Sequence, residues 1–190
     1  MNGELLGRTM TTHIIALGGS LLRPEEAEKR VQWFGQLKQM AVLLEGNDRK
    51  LGFVIGGGLP AREAIELAKT NVTDSYRLDT VGIAATRLNA TIIQQTLIDV
   101  GCNVSPIIPK TTDEAAELFD SHNIVVMGGT SPGHTTDAVA VALARDSGAS
   151  YCVIATNVSH VYDSDPRKNP DAKAIEEMTY SDLLQITGEG

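Results

Sequence analysis

Three glycine clusters hold most of the chemistry this chain can do. The fullest is Val125-Val126-Met127-Gly128-Gly129-Thr130-Ser131-Pro132-Gly133-His134-Thr135-Thr136-Asp137, followed by a helix-forming run over residues 138–144. A β-branched run stops at a glycine pair, a hydroxyl-rich loop follows, and then a helix begins. Backbone N–H groups at a helix start have no partner within the helix and carry partial positive charge, so they suit an anion such as phosphate. The serine and threonine hydroxyls add donors. Pro132 stiffens the loop, and Gly133 supplies a dihedral that other residues resist. His134 reads either as a loop-ordering hydrogen bonder or as a chemical group. Asp137 is ordinarily a cap or dipole partner. Its chemical alternative is a carboxylate that orients donors, or a metal, near a transferred phosphoryl group.

The same strand–glycine–helix order occurs twice earlier. Leu17-Gly18-Gly19-Ser20 reads as a tight turn or as a phosphate contact through the Gly19 backbone and the Ser20 hydroxyl. In Val54-Ile55-Gly56-Gly57-Gly58-Leu59-Pro60-Ala61-Arg62, consecutive glycines cost chain entropy, so something must need the bare main chain. Arg62 lies one turn into the next helix, where it either folds back on a phosphate or stays solvated. A fourth element, residues 155–166, holds Thr156, Asn157, Tyr162 and Asp165. These residues could read a base, pack on an adenine or accept from a ribose hydroxyl. The plain alternative is a turn-rich hairpin, and residues 157–173 are expected to form a hairpin and loop. The GxxxxGK[ST] loop is absent, and no GxGxxG follows a strand.

Elements that alternate along the chain must position these groups. Strands are expected at 13–17, 51–55, 104–108, 123–127 and 151–155. Helices are expected at 24–45, 60–69, 81–100 (closed by Gly101), 113–119 (capped by Thr112 or Asp113), 136–145 and 179–186. The helix over 136–145 is almost wholly apolar, which predicts burial between layers. Alternating strands and helices imply an α/β three-layer sandwich, a mostly parallel sheet with helices on both faces. Ligands of such sheets bind beyond the carboxyl ends of the strands, where every glycine cluster here falls. One domain is expected over 13–190, after an N-terminal extension over 1–12.

Composition bounds the partners. The 190 residues carry a net charge of −8, which argues against a basic nucleic-acid groove but not against one small nucleotide. Cys102 and Cys152 sit in or beside apolar runs and read as buried reduced thiols. No Cys/His cluster points to a metal site. No apolar run approaches a membrane span, residues 1–12 have no signal-peptide character, and a cytoplasmic protein is expected.

Taken in order, these elements resemble the amino-acid kinase superfamily, and within it the archaeal-type UMP kinases. The residues that carry the likeness are 127–138, the segment from Asp79 to Ala90, and Thr156-Asn157…Tyr162…Asp165-Pro166. The resemblance implies phosphoryl transfer from ATP to UMP, with Mg2+ accompanying ATP. It implies that Gly57, Asp79, Thr130, Ser131, Pro132, Gly133, His134, Thr135 and Thr136 bind UMP. Gly19, Ser20, Gly58 and Arg62 would lie along the ATP phosphates, and Thr156, Asn157, Tyr162 and Asp165 would hold the adenosine. Asp137 would organise the reacting centre. It further implies a C-terminal part shorter than usual and a homo-oligomer, a hexamer. Two alternatives stand beside it. One is a kinase of the same superfamily acting on a carboxylate, a carbamate or isopentenyl phosphate. The other is a non-catalytic nucleotide-binding subunit.

Overall fold

A computed structural model describes residues 10–22, 27–47, 49–155, 160–164, 166 and 168–177. The chain divides into two compact units, Met1–Ala155 and Thr156–Gly190. In the first, strands β1 (Thr11–Leu17), β2 (Arg49–Ile55), β3 (Ile124–Met127) and β4 (Tyr151–Ala155) form one sheet in the order β3-β2-β1-β4. Every neighbouring pair is parallel. Leu17 pairs with both Ile55 and Ala155, and Val54 pairs with Met127. The carboxyl ends therefore come level, and the glycine clusters that follow β1, β2 and β3 emerge along one edge.

The helices of this unit are α1 (Gly19–Leu22), α2 (Ala27–Glu45), α3 (Gly58–Lys69), α4 (Ser75–Asp99), α5 (Thr112–Leu118) and α6 (Thr136–Asp146). Side chains of a strand alternate between faces, and both faces here are apolar, as a doubly covered parallel sheet requires. On one face, Leu51, Phe53, Ile55, Ile124 and Val126 pack with Leu37 and Ala41 of α2 and with Ala90, Ile93 and Leu97 of α4. On the other, Ile14, Val54, Val125 and Met127 pack with Ala115 of α5 and with Val139, Ala140 and Leu143 of α6. Phe53, Ile93 and Leu143 are wholly buried, each stabilising the fold by about 1.5–3 kcal/mol relative to exposure. This is the expected three-layer arrangement.

Five expectations need correction. Residues 104–108 are not a strand: Val104 makes a single parallel bridge to Ile124. Pro106 has no N–H with which to extend a ladder, and the chain turns outward there, leaving Ile107 exposed. The apolar α6 is not sandwiched between layers, because Val141 is 49% exposed while Val139, Ala140 and Leu143 face the sheet. Its alanines made it look apolar all round, yet only one stripe is covered. Cys152 is exposed, because among the described residues β4 is an edge strand, and its first four residues all face solvent. The helix placed at 81–100 begins earlier, at Ser75, where the Asp74 carboxylate accepts from Arg77 N–H at 2.9 Å. That cap brings Asp79 inside the helix. Likewise α5 is capped by Thr111, whose hydroxyl accepts from Glu114 N–H, not by Thr112 or Asp113.

In the second unit, β5 (Val161–Tyr162) pairs antiparallel with β6 (Ala174–Ile175), so the expected hairpin is present. Asp163 closes it: its Oδ1 accepts from Lys173 N–H at 2.9 Å, and its own N–H donates to the Lys173 carbonyl. That bond to the Lys173 main chain, ahead of the Ser164 hydroxyl, holds the Asp163 carboxyl below its ordinary pKa. The strand β1 expected at 13–17 and the helix expected at 24–45 are found, the latter described from Ala27; the helix expected at 179–186 lies outside the described residues.

Candidate active site

At the carboxyl edge of β2 and β3 the first unit opens into a cleft of about 440 Å³. Its walls come from three places in the sequence. The start of α3 contributes Gly57, Gly58, Ala61, Arg62 and Ile65. Helix α4 contributes Asp79, Gly82, Ile83 and Thr86, and the third glycine cluster contributes Gly129 and the loop from Ser131 to Thr136. Gly57, Asp79, Ser131, Pro132, Gly133, His134, Thr135 and Thr136 are thus brought together as expected. Gly58 and Arg62, assigned by resemblance to the second nucleotide, line the same cleft. Helix α3 starts with no side-chain cap on its first amides, so its N-terminal N–H groups are available to an anion in the cleft.

Main chain packs on main chain beside it. A Cβ added to Gly19 would stand 2.2 Å from Gly58 N, and one added to Gly58 would stand 2.5 Å from the Gly19 carbonyl carbon. The first two glycine clusters are therefore bare partly because they press on each other, a reason that neither segment shows alone. Gly19 is buried and Ser20 is exposed at the start of α1.

The third loop is held from α4. Gly133 N–H donates to Asp79 Oδ2 at 2.8 Å. Gly133 has φ of +83° with open space around its α-carbon, so glycine is required there by conformation and not by crowding. Gly129 N–H donates to the Thr86 hydroxyl at 2.7 Å, and that hydroxyl donates to the Ile83 carbonyl. Arg87 Nη2 donates to the Gly129 carbonyl at 3.3 Å, while its Nε is buried with no hydrogen-bond partner. The second cluster is held by Asn89, 1% exposed, whose amide donates to the carbonyls of Gly56 and Gly57 at 2.9 and 3.0 Å.

Thr86 and Asn89 are the positions that the motifs did not single out. Their signal was available: they sit on the face of α4 that carries Ala85, Ala90, Ile93 and Leu97, and a polar side chain on a buried stripe must find a partner. Which partner was set by the fold.

Other expected residues lie apart from the lining. Thr130 is half-buried between Gly129 and Ser131. Asp137 is exposed in the first turn of α6, and the cap there is Thr135, whose hydroxyl accepts from Ala138 N–H at 3.1 Å. Asp137 makes itself felt at β4: the Cys152 thiol is raised in pKa by local desolvation of its sulfur and then by the charge of Asp137. Thr156, Asn157 and Asp165 lie outside the described residues. Tyr162 is half-buried on β5, edge-on to His160 with ring centres 6.4 Å apart. No group of three or more His, Cys, Asp or Glu side chains placed to hold a metal occurs among the described residues.

A parallel sheet whose glycine-rich carboxyl ends meet at one cleft, with the uncapped start of α3 in its wall, defines the class as an α/β protein built like the binders of phosphate-bearing small molecules. Comparison with known proteins narrows the class. The model of the amino acid kinase family matches residues 11–190, and the chain belongs to that family. It is 39% identical over 178 residues to a uridylate kinase of Methanococcus aeolicus, spanning 92% of this chain and 76% of that one. A uridylate kinase of Thermococcus onnurineus is 38% identical over 179 residues, with 93% and 76% covered. Among solved structures, the uridylate kinase of Archaeoglobus fulgidus superposes with a TM-score of 0.76 at 35% identity, covering 95% of this chain and 79% of that one.

Proposed function

We propose that this chain is a UMP kinase that transfers the γ-phosphoryl group of ATP to UMP, giving UDP and ADP. The observation that carries the reading is the convergence in one cleft of the α3 start, Asp79 and the hydroxyl-rich loop. These are the groups needed to hold a phosphate at one end and a sugar at the other. The uridylate kinases that the chain resembles support the choice of UMP.

Phosphoryl transfer asks little covalent chemistry of a protein; positioning and charge stabilisation dominate. In this reading Gly57 and residues Thr130 to Thr136 hold the UMP phosphate through backbone amides and hydroxyls. Asp79, one oxygen of which already holds Gly133, offers its other oxygen to a ribose hydroxyl. Gly19, Ser20, Gly58 and Arg62 lie along the ATP phosphates, Arg62 supplying positive charge. Donors fixed by the fold need no reorganisation as charge moves during transfer. Asp137 orients the donors around the reacting oxygens. A magnesium ion would arrive with ATP and neutralise its phosphate oxygens. Because such an ion keeps several waters and takes one or two carboxylates at most, Asp137 alone fits that demand. The same reading includes a homohexamer in the cytoplasm, and the exposed Val31, Val42 and Leu43 on α2 offer apolar surface for a subunit contact.

The test is a coupled assay of ADP release with UMP, CMP and carbamate as acceptors. UMP-dependent turnover well above the other two supports the proposal. Nucleotide binding without turnover supports a non-catalytic subunit, and turnover on carbamate alone moves the chain to another branch of the family.

A further inference from the structure

Helix α4 holds two loops of the cleft from behind, and the way it does so has a directional consequence. In a trans peptide the C=O of one residue and the N–H of the next point in opposite directions. Asn89 takes the carbonyls of Gly56 and Gly57. The N–H groups of Gly57 and Gly58 must then point away from Asn89, and both of these residues line the cleft. One buried side chain grips both carbonyls; the Gly57 carbonyl has a second hold, the Ala61 N–H at 3.4 Å, and the Asn89 amide is its shorter bond. The glycines have no side chains of their own to lock these peptide planes, and unsubstituted backbone rotates more freely than any other. Arg87 acts on the third cluster in the same way. It holds the Gly129 carbonyl, so the Thr130 N–H is turned the other way.

We infer that Asn89 is a positioning residue for phosphate binding: it does not touch the nucleotide but aims the Gly57 and Gly58 amides at its phosphate. The inference rests on the reading of this cleft as a phosphate site. Gln94 provides an internal comparison, because it lies on the same helix, is 3% exposed and donates its amide to the Ser105 carbonyl at 2.8 Å. Losing either amide removes a buried hydrogen bond, but only the loss at Asn89 loosens glycine peptides of the cleft, leaving the Gly57 carbonyl to the longer bond from Ala61 N–H.

The experiment is a titration of the whole chain, labelled with 15N-glycine, with inorganic phosphate. Wild type and the Asn89→Asp, Asn89→Ser and Gln94→Ala variants are compared. In wild type and Gln94→Ala the Gly57 and Gly58 amide signals shift with phosphate. In Asn89→Asp, whose carboxylate confronts two carbonyls, the shift is lost or needs at least tenfold more phosphate. Asn89→Ser, with one hydroxyl donor, falls between and serves alone if the Asp variant does not fold. Equal phosphate responses in wild type and the Asn89 variants, or signals in wild type that ignore phosphate, overturn the inference. Steady-state kinetics separate it from the functional reading. An expected titration in a chain that does not turn over UMP leaves the positioning role standing and removes UMP kinase activity. UMP turnover with kcat and KM unchanged in the Asn89 variants does the opposite.

Discussion

At the scale of the residue, Asp79 holds Gly133 N–H through one oxygen, and in the proposed function its other oxygen meets a ribose hydroxyl. Replacing it with alanine removes both functions, whereas Asp79→Asn keeps an acceptor for Gly133 N–H. Asp79→Ala is therefore expected to raise the KM for UMP far more than the KM for ATP, with Asp79→Asn in between. Equal effects on both nucleotides would contradict the assignment. Thr136 lines the cleft beside the capping Thr135. Thr136→Val is expected to weaken UMP binding by about 1–2 kcal/mol, the scale of one hydrogen bond to a charged group, read by calorimetry. Unchanged binding would mean that this hydroxyl faces elsewhere. The two thiols make a third case. Burial, with the nearby Glu45 carboxylate, lifts Cys102 to about 11, while Cys152 stands exposed on β4. A thiol reagent at pH 7.5 is expected to label Cys152 first and Cys102 only after denaturant. Equal rates in the native protein would contradict this placement.

At the scale of the element, α4 does more than the others. From one helix come Asp79, Thr86, Arg87 and Asn89, which hold the second and third glycine clusters. Its start depends on Asp74, so Asp74→Ala is expected to cost about 1 kcal/mol of stability in a urea melt. A loss under a few tenths would show that the cap is idle. The helix was legible in outline, because its apolar spacing over 81–100 has the right period. Its true start was not, because the stretch 75–80 is polar and only the Asp74 cap announces it. The stretch 104–108 misled for the opposite reason. Its apolar and β-branched residues read as a strand, and Pro106 limits it to one bridge. In α6 the period was right and the depth wrong, since alanine covers a helix without saying which side is covered.

At the scale of the whole molecule, the proposed function has the chain bind two nucleotides, and a folded state that binds a ligand is stabilised by it. UMP at 100 times its Kd is expected to add about 2.7 kcal/mol to unfolding free energy by mass action. Differential scanning fluorimetry checks this as a rise in Tm, and no rise at millimolar UMP would count against the site. The sequence by itself determined the alternating α/β order, the four parallel strands to within two residues at their starts, and the glycine loops at the strand ends, two of which line the cleft. These are local properties: periodicity, capping and bare main chain are written in consecutive residues. Only the tertiary structure decided the strand order β3-β2-β1-β4, the pressing of Gly19 on Gly58, and the attachment of both far glycine clusters to α4. The contacts of α4 with its loops join residues from 32 to 54 positions apart. Which buried polar group meets which carbonyl follows from how layers pack, and no local pattern along the chain encodes that.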